Sequence, residues 1–330
     1  MRKKQFHIHD LYLIFCLMCL VLLSGCKRTV TPITRTSFKL DTVITITIYD
    51  SEDTSLLDGA MEICDYYENL LSRTRESSDI YQLNQGTRRE VSDETAELLR
   101  LALSYSEKTN GLFDPTIGPV SSLWDFHSEK PEVPSEELIQ TALPLVDYRK
   151  VTLEDHTVTF QEEGMLLDLG GIAKGYIADR IKEYLVEQGV TSAIINLGGN
   201  VLCVGERPDG TPFQVGIQQP FTDIASAEIG PLQIQDRSVV TSGIYQRCFE
   251  KEGVFYHHIL DPGTGYPCDN ELVSVTVICD QSVDGDALST SCFLMGLEKG
   301  LDFVRDLKDV QAIFITKKGE VYDSNDCSES

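Results

Sequence analysis

The chain has 330 residues, 42% of them hydrophobic, and a formal net charge of −24. That length supports a sizeable core, in one large globular domain or two intimate subdomains. So acidic a composition argues against a nucleic-acid partner and against a protein that lies flat on anionic lipid.

The N-terminus reads as an address. Arg2-Lys3-Lys4 is followed by the apolar run Leu11 to Leu23 and then by Leu23-Ser24-Gly25-Cys26. A basic start, a short apolar core and small residues before a cut site predict a secretory signal peptide over residues 1–25. The apolar core is shorter than the roughly 20 residues that a bilayer span needs. Cysteine directly after Leu-Ser-Gly is the acceptor pattern of a bacterial lipoprotein. The mature chain is therefore expected to begin at Cys26, lipidated on its thiol and its amine, and to be anchored at the extracytoplasmic face of the cell membrane. Residues 26–36, short, polar and containing proline, read as a lipidated tether, with the folded domain over 37–330.

Beyond Cys26 the chain holds seven cysteines, an odd number with no Cys-x-x-Cys pair. A zinc site, a thioredoxin-like motif and a complete disulfide framework are not expected, so the thiols read as small buried hydrophobes.

Thr42 to Tyr49 alternates as a strand does. Leu56 to Leu71 reads as an amphipathic helix, followed by the polar segment Ser72 to Asp79, and Thr95 to Lys108 as a second helix stopped by Asn110-Gly111. Ser128 to Pro144, with three prolines, suits an exposed loop around one short helix. Lys150–Thr152 and Val158–Phe160 read as paired strands and Met165 to Leu169 as another. Ile177, Ile181 and Leu185 mark a helix with one buried face that closes at Gly189, before a strand at Ser192 to Asn196. Val254 to Leu260 and Val273 to Cys279 alternate as strands. Elements in this mixed order, without strict alternation, predict an α+β fold.

Four segments could carry chemistry. In Asp168-Leu-Gly-Gly-Ile-Ala-Lys-Gly175, paired glycines precede a helix start, where free N–H groups suit an anion and Lys174 adds positive charge. An ordinary turn with a solvated lysine gives the same pattern. Asn196-Leu-Gly-Gly-Asn200 is a second glycine pair, equally compatible with a plain turn. After Thr241-Ser-Gly-Ile-Tyr245 comes His257-His258, whose side chains must face opposite sides of a strand, and then the turn chemistry of Asp261-Pro-Gly-Thr-Gly265. In Asp284-Gly-Asp-Ala-Leu-Ser-Thr290, Asp286 and Thr290 share one helical face. A carboxylate beside a hydroxyl suits Mg²⁺, although helix capping explains the aspartates as well. Together these pieces suggest a site for a phosphorylated ligand with magnesium. No Walker loop or dinucleotide Gly-x-Gly-x-x-Gly occurs.

In that order, and with Phe38 to Thr42, Ser78-x-x-x-x-x-Asn84 and Gly111-Leu-Phe-Asp-Pro-Thr116, the segments resemble the ApbE flavin transferases over essentially the whole mature chain. The resemblance implies Mg²⁺-dependent transfer of the FMN half of FAD to a threonine or serine hydroxyl of a target protein, with AMP released. It implies exported acceptors such as flavin-bearing subunits of Rnf- and Nqr-type membrane redox complexes. Carried onto this chain, Asp286, Thr290 and a main-chain carbonyl near Gly171 to Ala173 would hold magnesium. Asp168, Lys174, Leu112, Phe113, Asp114, Leu40, Ser78 and Ile259 would contact the flavin nucleotide. The attacking hydroxyl needs a general base. His258, the histidine in a matched motif, is the first candidate and Asp284 the second. The chain departs from the family at Leu40-Asp41-Thr42, where Met-Gly-Thr is common, and at Gly285, where alanine is common. Two other readings use the same cradle: a non-enzymatic FAD-scavenging lipoprotein, and an FAD pyrophosphatase in which water replaces the acceptor.

Overall fold

Ile33–Lys39 forms β1 and pairs antiparallel with β2, Thr42–Ile48, across a two-residue turn. Residues 33–36, read from sequence as tether, are therefore sheet residues. Their alternation, Ile-Thr-Arg-Thr, carries too little apolar contrast to stand out, and it is the pairing with β2 that orders them. The computed structural model describes residues 30–218 and 228–326. The expected signal peptide, Cys26 and Cys327 lie outside the described residues.

In β2 the expected alternation holds, with Ile44, Ile46 and Ile48 buried and Thr45 and Thr47 half-buried between them. Helix α1 (Ser55–Leu71) buries Leu57, Ala60, Met61 and Cys64. A polar turn leads to the short α2 (Asp79–Asn84), then to α3 (Asp93–Lys108), whose N-cap Ser92 accepts from Thr95 N–H. The single turn α4 (Gly118–Ser121) and α5 (Glu136–Ala142) follow, the latter being the short helix expected in the proline-rich loop. A small hairpin, β3 (Val151–Glu154) and β4 (Thr157–Phe160), precedes helix α6 (Ala173–Glu187), where Ile177, Ile181 and Leu185 are buried as the spacing requires.

Met165 to Leu169 is not a strand. Only Leu166 bridges, to Ile117, and the Asn84 side chain takes the place of a neighbouring strand. Its Oδ1 accepts from Leu167 N–H at 2.7 Å and its Nδ2 donates to Leu167 C=O at 2.9 Å. One amide group thus satisfies both polar groups of a buried residue.

Strands β5 (Ser192–Leu197) and β6 (Asn200–Gly205) form a tight hairpin, and β7 (Phe213–Gln218) pairs with β8 (Glu228–Ile234) apart from the main sheet. Then come β9 (Ser238–Gly243) and the two-stranded β10 (Cys248–Lys251) and β11 (Val254–His257). The strand expected to run to Leu260 ends at His257. Strand β12 (Leu272–Cys279), helices α7 (Ser282–Met295) and α8 (Leu297–Arg305), and strands β13 (Gln311–Thr316) and β14 (Val321–Asp323) complete the chain. The main sheet has eight strands in the order β1-β2-β5-β6-β9-β12-β13-β14, every neighbouring pair antiparallel. The α+β expectation holds.

Helix α7 is buried on almost every side, packed between α6 and strands β9 and β12, as a centrally placed helix must be. One large core joins the sheet to α1, α3, α6 and α7, and a smaller cluster around Val120, Trp124, Ile139 and Leu260 forms a separate wall. Cys64, Cys203, Cys279 and Cys292 are buried free thiols, and no disulfide occurs among the described residues.

Candidate functional site

A cavity of about 1330 Å³ opens at one end of the sheet, where the β1–β2 and β5–β6 turns, the start of α6, one face of α7 and the segment 258–262 converge. It exceeds the roughly 300–1,000 Å³ of ordinary small-molecule pockets. The two glycine pairs build different walls of it. Gly198-Gly199 forms the two-residue β5–β6 turn with φ of +67° and +92°, and a Cβ on Gly198 would lie 2.2 Å from Thr42 Oγ1. That segment is a hairpin turn that also lines the cavity. Gly170-Gly171 leads instead into α6 and lines the same space with Ala173 and Lys174, while Ala173 and Gly175 N–H donate to Leu169 C=O and to Asp286.

One turn further in, α6 and α7 touch backbone to backbone. A Cβ on Gly175 would lie 2.2 Å from Ser282 C=O, so no other residue permits this approach. The helices cap each other. Asp286 on α7 accepts from Gly175 N–H at 2.9 Å, and Asp179 on α6 accepts from Ser282 and Val283 N–H, both at 2.8 Å. Burial pushes the Asp179 carboxyl up to about 6, against the two hydrogen bonds that favour its charge. The other Asp286 oxygen makes no hydrogen bond among the described residues and lies on the cavity wall with Thr290 and Gly171. A Cβ on Gly171 would sit 4.0 Å from Thr290 Oγ1. The structure brings together the three positions expected to hold magnesium.

Of the expected nucleotide contacts, Leu40, Leu112, Phe113, Asp114, Asp168, Lys174 and Ile259 all line the cavity. The carboxylates there are tied down. Asp114 accepts from Thr116 N–H, Thr116 Oγ1 and Tyr148 N–H, and burial raises its pKa. Asp168 accepts from Gly170 N–H at 2.9 Å and Ser121 Oγ at 2.9 Å, and pairs with Arg73 at 3.1 Å. Two expectations fail. Ser78 is wholly buried away from the cavity, where it caps α2 by accepting from Tyr81 N–H and donating to Ser72 C=O. Asp284 does not line the cavity either; Tyr105 Oη donates to it at 2.6 Å, and burial beside that carboxylate raises the Tyr105 pKa.

The adjacent histidines divide as the strand pattern predicts. His257 is buried, with Nε2 3.1 Å from Cys268 C=O and Nδ1 accepting from Ile259 N–H. His258 lines the cavity, and its Nδ1 is shielded from water without a hydrogen-bond partner. Burial, then Arg247, Lys174 and His257, push the His258 pKa down to about 3, so the ring is neutral.

Among the lining residues that were not expected as contacts are Arg73, Arg247 and Asp41. Arg73 follows α1 in the polar segment and donates to Ser121 Oγ at 2.7 Å. Arg247 comes two residues after the Thr241–Tyr245 motif, a proximity that could have found it. Asp41, at the β1–β2 turn, pairs with Arg247 at 3.0 Å and His127 at 3.1 Å. Leu40 and Asp41 both adopt positive φ, +53° and +57°, a conformation that favours Asn or Gly in this turn. With Lys174, these arginines gather three cations around the cavity of a strongly acidic chain.

A model of the ApbE family matches residues 40–314. An FAD:protein FMN transferase of Klebsiella pneumoniae (strain 342) is 42% identical over 276 residues, spanning 82% of this chain and 85% of that protein. One of Treponema pallidum (strain Nichols) is 34% identical over 323 residues, spanning 91% and 89%. Among solved structures, the ApbE protein of Thermotoga maritima superposes with a TM-score of 0.80 at 32% identity, covering 89% of this chain and 97% of its own. The flavin transferase ApbE of Vibrio cholerae gives 0.80 at 26% identity, covering 89% and 96%.

Proposed function

The chain belongs to the ApbE family and is a flavin-transferring enzyme, and we propose that it moves the FMN half of FAD to a threonine or serine hydroxyl of an acceptor protein, with Mg²⁺ bound and AMP released. The observation that carries this reading is the unpartnered oxygen of Asp286 on the cavity wall, one turn from Thr290 and beside Gly171. The donor set is all oxygen and fits a hard cation that takes few protein ligands. No cluster of three or more His, Cys, Asp or Glu side chains offers another metal site among the described residues. Bound there, the ion would neutralise charge on the pyrophosphate and on the departing AMP.

The chain's own residues do the rest. Lys174 at the start of α6, with Arg73 and Arg247 on the same cavity, would meet the phosphates. The acceptor oxygen bonds to the FMN phosphorus while the bond from that phosphorus to the bridging oxygen breaks, and AMP leaves with the bridging oxygen and its electron pair. The hydroxyl proton passes to neutral His258. Burial is the main cause of its lowered pKa, and Arg247 and Lys174 add to it; a bound pyrophosphate would offset only the part due to those two cations. Asp284, held by Tyr105 outside the cavity, has no place in this step.

The sequence supports a location as well. Lipid on Cys26 would leave no more than about 25 Å of extended chain before Ile33, holding the enzyme close to exported acceptors such as Rnf- or Nqr-type flavin-bearing subunits. Incubating the mature protein with FAD, Mg²⁺ and the soluble domain of such a subunit should yield covalently flavinylated acceptor and AMP in equal amounts. FMN and AMP released at the same rate without acceptor, and no covalent product with it, would replace transfer by pyrophosphate hydrolysis.

A further inference from the structure

Transfer to a protein hydroxyl requires a second macromolecule to lie across the cavity mouth, and the mouth has one distinctive border. Phe38 on β1 and Val43 on β2 are cross-strand partners; both line the cavity, yet they are 70% and 58% exposed, the two highest values among the exposed large hydrophobic residues. Behind them the same face continues as a ladder of threonines. Thr36 and Thr45 share a hydrogen bond at 3.0 Å, and so do Thr34 and Thr47. The whole strip, two apolar residues and four threonines, bears no charge in a chain with 52 acidic residues.

The strip also ends on an open edge. β1 is the outermost strand of the main sheet. In a hairpin closed by the Lys39–Thr42 pair, every second residue turns its N–H and C=O away from the partner strand. Those residues are Phe38, Thr36 and Thr34, and no backbone hydrogen bond of theirs outside the β1–β2 ladder occurs among the described residues. An open edge is a template for another extended chain.

We infer that the outer face and edge of β1 dock the acceptor protein as an extended, uncharged segment bearing an apolar side chain near its hydroxyl. That side chain covers Phe38 and Val43, and main-chain pairing with β1 carries the hydroxyl over the Leu40-Asp41 turn into the cavity. The absence of charge on the strip fits this occupant, since an acidic segment would meet repulsion from the rest of the surface and a basic one would find no partner on it. The inference rests on the proposed transfer to a protein, and it names where that protein binds.

The test measures equilibrium binding of the soluble acceptor domain of an Nqr-type flavin-bearing subunit to the FAD-loaded mature enzyme and to two variants. Phe38→Ser removes the apolar anchor. Thr36→Pro removes one outward N–H, a change that an edge strand tolerates. Each should weaken acceptor binding by roughly tenfold or more while FAD affinity and the melting temperature stay unchanged. Acceptor binding unchanged in both variants would overturn the docking surface. So would a loss of FAD affinity in Phe38→Ser, which would make this border part of the flavin site. A dimer of the enzyme that either variant dissociates would assign the edge to a second copy and overturn the inference too. The functional reading fails separately, as acceptor binding by the wild type without any covalent product.

Discussion

Helices α6 and α7 begin side by side, and each is capped by an aspartate from the other, yet the two caps have different fates. Asp179 uses both oxygens, on Ser282 and Val283 N–H, and is sealed in the core. Asp286 uses one oxygen on Gly175 N–H and keeps the other on the cavity wall. The same local chemistry thus uses both carboxylate oxygens in one place and leaves one of them free in the other. What separates them is the neighbourhood: the α7 start is enclosed by β9, β12 and α6, while the α6 start opens on the space between two hairpin turns. Mutual capping also explains how a free carboxylate oxygen is kept in position, because the hydrogen bond to Gly175 fixes the Asp286 side chain.

The contrast is broken most severely at Asp286. Replacing it with alanine should lower transfer by roughly 10²–10³-fold, several kcal/mol of lost charge stabilisation, while FAD still quenches or shifts its fluorescence on binding. Turnover that stays within threefold of wild type, by a rough margin, would show that the free oxygen has no role. Next comes Asp179→Ala, which leaves two buried N–H groups without an acceptor and should destabilise the fold by about 2–4 kcal/mol in denaturant titrations. Its signature is a change in stability first, with activity following the folded fraction.

Acid sharpens the same contrast. The Asp179 carboxyl is raised from 3.8 to about 6 in the folded protein, so the native state takes up this proton before the unfolded chain does. Its contribution to stability is therefore fully present below about 3.8 and declines as pH rises to about 6. Denaturation of wild type and Asp179→Asn across that range should show the wild type gaining relative to the variant as pH falls. A difference between the two that is independent of pH would contradict the burial assigned to this group. The smallest effect is expected at Asp284→Asn. It weakens one hydrogen bond from Tyr105, worth about 0.5–1.5 kcal/mol of stability, and should leave the transfer rate of the folded enzyme unchanged.

Much of this was readable from the chain. Periodicity located α1, α3, α6 and most of β2 and β12, and the spacing of Asp286 and Thr290 placed them on one helical face. Helical phase alone already turns Asp284 about 200° from Asp286, which is why these neighbours part company. Alternation likewise placed His257 and His258 on opposite sides, but it could not say which side held the cavity. The remainder depends on contacts distant in sequence. Ser78 matched a motif whose purpose proved to be a cap on α2, Asn84 imitates a strand partner 83 residues away, and Arg73 and Arg247 acquire meaning only where the cavity walls meet. β1 escaped because a strand of Thr, Arg and Ser becomes recognisable only beside its partner.

The most direct test titrates Mg²⁺ against the transfer rate in wild type, Asp286→Asn and Asp284→Asn. Asparagine can still accept from Gly175 N–H through its single oxygen, so Asp286→Asn keeps the cap and puts an uncharged amide NH2 where the free oxygen stood. The Mg²⁺ concentration for half-maximal rate should rise by roughly tenfold or more in Asp286→Asn and stay at the wild-type value in Asp284→Asn. A wild-type midpoint in Asp286→Asn, or an equal rise in Asp284→Asn, would contradict the assignment of the metal to the free oxygen of the α6 cap.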